Sequence, residues 1–173
     1  MLRLSLMFLV AAGLGLVLCD TAAAQQVRRA ERLTGANENP PVDTVARGNF
    51  RAQIFPDRIE FRLVYSGIES DVLQAHLHAG NPGSNGGIVV FLCTNLGNTQ
   101  PPGATERPCP PLPTPVTGEI VAADVIGGVA PGLEAGDLAG LARLIRQGAI
   151  YANVHSDDFE SGEVRGQVSP RTR

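Results

Sequence analysis

Lysine is absent from these 173 residues, histidine and cysteine occur three times each, and the longest apolar run is short for a bilayer core of ~30 Å. Each scarcity narrows the field. The formal net charge is -3, and it is unchanged when residues 1–24 are set aside, because that stretch holds one Arg and one Asp. Such a balance points neither to nucleic acid nor to a basic membrane-binding surface. With every basic side chain an arginine, bidentate carboxylate contacts would be favoured. A compositional bias of the source genome explains the same fact, so it carries no functional weight. No Cys-x-x-Cys pair occurs, which removes the spacing that tunes thiols for redox work. There is no internal repeat and, outside one proline-rich loop, no low-complexity tract.

What is present begins with a leader. Met1-Leu2-Arg3 supplies a positive start, Leu4 to Leu18 an apolar core, and Ala22-Ala23-Ala24 the small residues that a signal peptidase needs. The expectation is a signal peptide over 1–24, cleavage before Gln25, and a periplasmic or secreted product without a stable membrane span. Leu16-Val17-Leu18-Cys19 also resembles a lipoprotein signal, but Leu18 is bulky where a small residue is usual, so lipid anchoring at Cys19 is the weaker reading.

The mature stretch, from Gln25 to Arg173, suits one domain with a real core. It keeps Cys93 and Cys109, an even pair in an exported chain, and these are expected to form a disulfide. The segment beyond Cys93 is rich in Pro, Gly and Asn and cannot continue a strand, which predicts an ordered surface loop.

Elsewhere the chain reads as short strands. These are Arg47 to Phe55, Ile59 to Tyr65 after the Pro56-Asp57 turn, Val72 to His78, Ile88 to Leu92, Val116 to Val125, Ile150 to His155 and Glu163 to Val168. Leu138, Leu141, Leu144 and Ile145 recur at helical spacing, with Asp137 placed to cap the start and Gly148 the end. Many short strands and one helix predict a mainly β fold, an antiparallel β-sandwich of Greek-key type.

All three histidines fall in two of these strands. Side chains alternate along a strand, so His76 and His78 share a face. In Ile150 to His155 the alternation sets Tyr151, Asn153 and His155 apart from Ile150, Ala152 and Val154, placing His155 on the polar and, by expectation, more exposed side. Three neutral imidazoles suit copper or zinc better than calcium. Asp157, Asp158, Glu160 and Glu163 follow closely and offer outer partners or a fourth ligand. The plainer alternative has His76 and His78 bonding loop backbone, with Gly80, Gly83 and Gly86 setting turns, and His155 doing the same for the acidic turn. Asn37, Asn39 and Pro40-Pro41 read as a rigid turn, not as chemistry.

Three blocks occur in order: Leu33-Thr34-Gly35-Ala36-Asn37-Glu38-Asn39-Pro40-Pro41; Ala75-His76-Leu77-His78-Ala79-Gly80 with Pro82-Gly83 and Asn85-Gly86; and Tyr151-Ala152-Asn153-Val154-His155 leading to Gly162-Glu163-Val164-Arg165-Gly166-Gln167. Together they resemble the CHRD domain, first recognised in chordin, a secreted antagonist of bone morphogenetic proteins, and also found singly in exported bacterial proteins. The resemblance spans Glu31 to Val168, leaving 25–30 as a linker, 94–116 as a proline-rich insertion and 169–173 as a tail. A more distant likeness is to the copper/zinc superoxide dismutases, β-sandwiches with a His-x-His pair on one strand and another copper-binding histidine near the C-terminus. His76, His78 and His155 are the counterparts that this likeness implies. Those enzymes use further histidines, and none exists here, which argues against the two-metal reaction.

Two functional classes follow. One is an exported, noncatalytic binding module with a copper or zinc ion on His76, His78 and His155. The other is an extracellular module that binds an envelope or extracellular protein, its histidines being structural. No hydrolytic site competes, because Ser156, Asp157 and His155 are neighbours in the chain and do not line up as nucleophile, orienter and base.

Overall fold

The computed structural model describes residues 26–97 and 102–170. The expected leader, the cleavage site before Gln25, Cys19 and residues 171–173 lie outside them. Eight antiparallel strands form one sheet: β1 (Gln26–Thr34), β2 (Arg47–Ile54), β3 (Ile59–Ser66), β4 (Val72–Ala79), β5 (Ile88–Thr94), β6 (Val116–Ile120), β7 (Ile150–Ser156) and β8 (Val164–Pro170). Their order across the sheet is β5-β4-β7-β8-β1-β2-β3-β6. The fold is therefore mainly β, as the strand pattern predicts, and sandwich-like around one core.

The core follows from period-two patterning. Gly48, Phe50, Ala52 and Ile54 of β2 and Ile59, Phe61, Leu63 and Tyr65 of β3 are buried in strict alternation. Ala75 and Leu77 of β4, Ile150, Ala152 and Val154 of β7, and Val164 and Val168 of β8 join the same cluster. One helix, α1 (Leu138–Gln147), adds Leu141 and Ile145. Asp137 caps it by accepting from the Gly140 N–H at 2.7 Å, and Gly148 ends it with φ of 73°, a left-handed conformation that costs glycine little. No helix among the described residues is long and apolar enough to cross a membrane.

Strand β1 is the element that alternation does not announce. The residues expected as a linker are strand from Gln26 onward, pairing with β2 on one side and β8 on the other. Its register shifts between Ala30 and Leu33, which interrupts the period of two and hides the strand in the sequence. The stretch expected to be strand up to Val125 stops at Ile120, where Ala122–Asp124 form a 3-10 turn.

The edge strands β5 and β6 meet beneath the proline-rich segment. Thr94 donates its N–H to the Arg107 carbonyl at 2.8 Å, and Ile126 donates to the Val89 carbonyl at 2.9 Å, so the outer edge of β5 is covered. Arg107 bonds the carbonyls of Phe91 and Glu119, bridging the two strands, and pairs with the buried Asp124. The Cys93–Cys109 disulfide pins this segment with a sequence separation of 16. Replacing both cysteines by Ala should lower the unfolding free energy by about 3 kcal/mol, the loop-closure value for a cross-link of this span. The expected readout is a lower urea midpoint with the far-UV circular dichroism of the folded state retained.

Candidate metal centre

Strands β4 and β7 pair in a register that sets Gln74 opposite His155, His76 opposite Asn153 and His78 opposite Tyr151. Alternation then turns His76, His78, Tyr151, Asn153 and His155 to the face opposite the apolar core. His155 is the diagonal neighbour of His76, within side-chain reach. Ring centroids lie 4.8 Å apart for His76 and His155, 5.4 Å for His76 and His78, and 6.1 Å for His78 and His155. One ligand atom from each ring can be chosen so that all lie within 4.8 Å of one another.

The expected exposure of this face is corrected by the structure. His76, His78 and His155 are 2%, 8% and 8% exposed. Two connections, residues 80–87 and 157–163, bond the imidazoles, and a third, residues 35–45, bonds Asn153 and Glu163 beside them. Gly86 accepts a hydrogen bond from His78 Nδ1 at 2.9 Å, and Glu160 accepts one from His155 Nδ1 at 2.9 Å, both through backbone carbonyls. A carbonyl only accepts, so both rings carry their proton on Nδ1 and present a bare Nε2. The contact of 3.1 Å between His76 Nδ1 and His155 Nε2 is then donated by His76. The Nε2 atoms of His76 and His78 are buried with no hydrogen-bond partner. Gly86 must be glycine for its carbonyl to sit there, since a Cβ would fall 1.6 Å from the Ala79 carbonyl oxygen.

The acidic turn contributes differently from the expectation of outer partners or a fourth ligand. No carboxylate joins the imidazole cluster among the described residues. Glu160 works through its carbonyl, while the buried Glu163 accepts from Ser156 Oγ at 2.6 Å and Thr44 Oγ1 at 2.7 Å, tying the turn to the entrance loop.

Four residues around the site escaped sequence reasoning in their roles. Tyr151 stacks on His78 with ring planes 5° apart and centroids 4.8 Å apart, and the Arg165 guanidinium lies 3.4 Å over the other face of Tyr151. Arg165 also donates to the carbonyls of Asn81 and Ser84, clamping the 80–87 loop. Asn153 donates to Glu38 at 2.6 Å. Desolvation raises the Glu38 carboxyl to about 7, against the lowering influence of Arg165 and of the Asn153 hydrogen bond. Gly162, at φ of 126°, leaves space for this pair; a Cβ there would lie 2.7 Å from Asn153 Nδ2. The signal for Glu38 was its position in the Asn37–Pro41 block, where turn-forming neighbours pointed to a turn alone.

The sequence model of the CHRD domain matches residues 30–168, most of the chain. The chain belongs to the CHRD domain family. No curated protein and no solved structure matches it, so the likeness to dismutases stays at the level of sequence pattern. All three blocks that carry the family resemblance meet at one place in this CHRD domain: the entrance block supplies Glu38, the middle block His76, His78 and Gly86, and the last block Tyr151, Asn153, His155 and Arg165.

Burial governs the protonation of the centre. It lowers His78 to about 4, and together with the neighbouring His155 and His78 charges it lowers His76 to about 2; His155 also falls below its ordinary value, chiefly by desolvation. The rings are therefore neutral at pH 7 and hold lone pairs ready for a metal. In the unfolded chain the same imidazoles titrate near 6.5. Between about pH 6.5 and 4 the unfolded state binds protons at the imidazoles that the folded state refuses, which outweighs the opposite contribution of the single raised Glu38 carboxyl, so stability falls as pH drops through that window. His78 alone should remove on the order of 3 kcal/mol by pH 4. Urea unfolding at steps from pH 7 to pH 4 should show this slope, and His78→Gln should make it shallower.

Proposed function

We propose that this CHRD domain is an exported, noncatalytic binding module whose ligand is a copper or zinc ion on His76, His78 and His155. The observation that carries the proposal is the set of three buried, neutral imidazoles with ligand atoms within 4.8 Å of one another. A site with bonds of about 2.0 Å has nitrogen-to-nitrogen edges of about 3.3 to 3.5 Å, so the rings need to close by little more than an ångström. The backbone carbonyls of Gly86 and Glu160 hold two rings in the tautomer that leaves Nε2 bare, which is how outer partners orient metal-binding histidines. His76 Nδ1 becomes a ligand when its proton moves to Nε2 of the same ring, at no change in net charge. Export is supported by the leader-like residues 1–24 and by the Cys93–Cys109 bond, which persists in oxidising compartments.

A second reading, an extracellular protein-binding module with structural histidines, is favoured by one observation. The Nδ1 atom of every ring already has a hydrogen-bond partner, and His76 packs edge-on against Phe91 at 4.5 Å as a core residue would. Titration with copper and zinc separates the two. Stoichiometric binding by the wild-type domain, weakened about 100-fold or more in His76→Ala, His78→Ala and His155→Ala while each stays folded by circular dichroism, is the expected result. Absence of binding, or indifference to His155→Ala, sinks the metal site; a partner protein whose capture is unaffected by chelators would then support the second reading.

A further inference from the structure

The charge and packing around the three histidines point to a narrower ligand than a copper or zinc ion in general. Resting on the metal site proposed above, we infer that it takes copper in its cuprous, monovalent state. The donors are three neutral imidazoles. Among the described residues no carboxylate joins them, and the two cysteines there are bonded to each other, so neither offers an anionic ligand to offset a cation. Arg165 is the nearest stacked charge and it is positive, separated from His78 by the Tyr151 ring alone. The cost of desolvating an ion grows with the square of its charge, so a divalent ion without an anionic ligand costs about four times as much as a monovalent one at this site. Glu38 is held by Asn153, the residue paired across from His76, and its carboxylate is not a member of the imidazole cluster.

Coordination number leads the same way. Zinc completes a tetrahedron with a fourth ligand, water where the protein supplies three. Cupric copper prefers tetragonal surroundings. Here Phe91 closes one side of His76, Tyr151 covers one face of His78, and the connections that seal the site leave each ring under a tenth exposed. That packing leaves little opening for a solvent-borne fourth ligand. Cuprous copper, a filled-shell ion, is stable with two or three nitrogen donors in trigonal or T-shaped arrangements. The His76 Nδ1 to His155 Nε2 separation of 3.1 Å lies between the ~2.8 Å of right-angled donors in a T-shape and the ~3.5 Å of trigonal ones at bonds of about 2 Å.

Anaerobic competition against a chromophoric cuprous chelator, run beside zinc and cupric titrations of the same protein, tests the inference. One cuprous ion per chain, held at least about 1,000-fold more tightly than zinc or cupric copper, is the expected result. X-ray absorption of the loaded protein should show a cuprous edge with two or three nitrogen neighbours. Zinc or cupric binding within about tenfold of cuprous binding, lost in the histidine variants, would overturn the cuprous assignment while leaving the metal site standing. Failure of every ion to bind, or binding indifferent to those variants, would instead remove the metal site itself.

Discussion

The antiparallel register of β4 against β7 is the constraint on which the rest of the molecule depends. With Ala75 opposite Val154 and Leu77 opposite Ala152, the small and apolar side chains of both strands enter the core, and the histidines, Tyr151 and Asn153 gather on the other face. The period of two makes this all-or-none: a slip of one residue in either strand would send His76 and His78, or His155, into the hydrocarbon core. The core therefore specifies the imidazole cluster from the other face of the same strands.

Sealing that second face creates a polar layer that has to be satisfied. Loops do this with backbone groups. Gly86 and Glu160 offer carbonyls to the imidazoles, Asn81 and Ser84 offer theirs to Arg165, and Gln167 reaches the carbonyls of Gly80 and Gly148 at 2.8 and 2.7 Å. Buried polar groups are tolerated when paired. On this face the Nε2 of His76 and the Nε2 of His78 break the rule. An arrangement that satisfies so many groups yet leaves imidazole nitrogens without partners, with one ligand atom from each ring within 4.8 Å of the others, is the physical basis for reading it as a ligand set.

Much of the scaffold was legible in the residues. Alternation located β2, β3 and β4, and helical spacing with Asp137 and Gly148 located α1 to its capping residues. The disulfide followed from the even pair of cysteines that remains when the leader-like residues 1–24 are set aside. Strand β1 was not legible, because a register shift between Ala30 and Leu33 breaks its period. Glu38, Asn153 and Arg165 were also hidden as partners: they lie 115 residues or more apart in the pairs that Glu38 makes, and no local spacing records such a contact.

The sequence by itself determined which side of each strand its histidines occupy and which family the chain resembles, since both depend on local periodicity and on ordered blocks of residues. Only the tertiary structure decided that the polar face is buried. Burial of that face comes with loops 80–87 and 157–163 bonding the imidazoles and loop 35–45 bonding Asn153 and Glu163 beside them, a matter of where connections travel after the strands have paired. Because desolvation, tautomer and charge at the three imidazoles all depend on that cover, the chemistry of the site became readable only once the chain was folded.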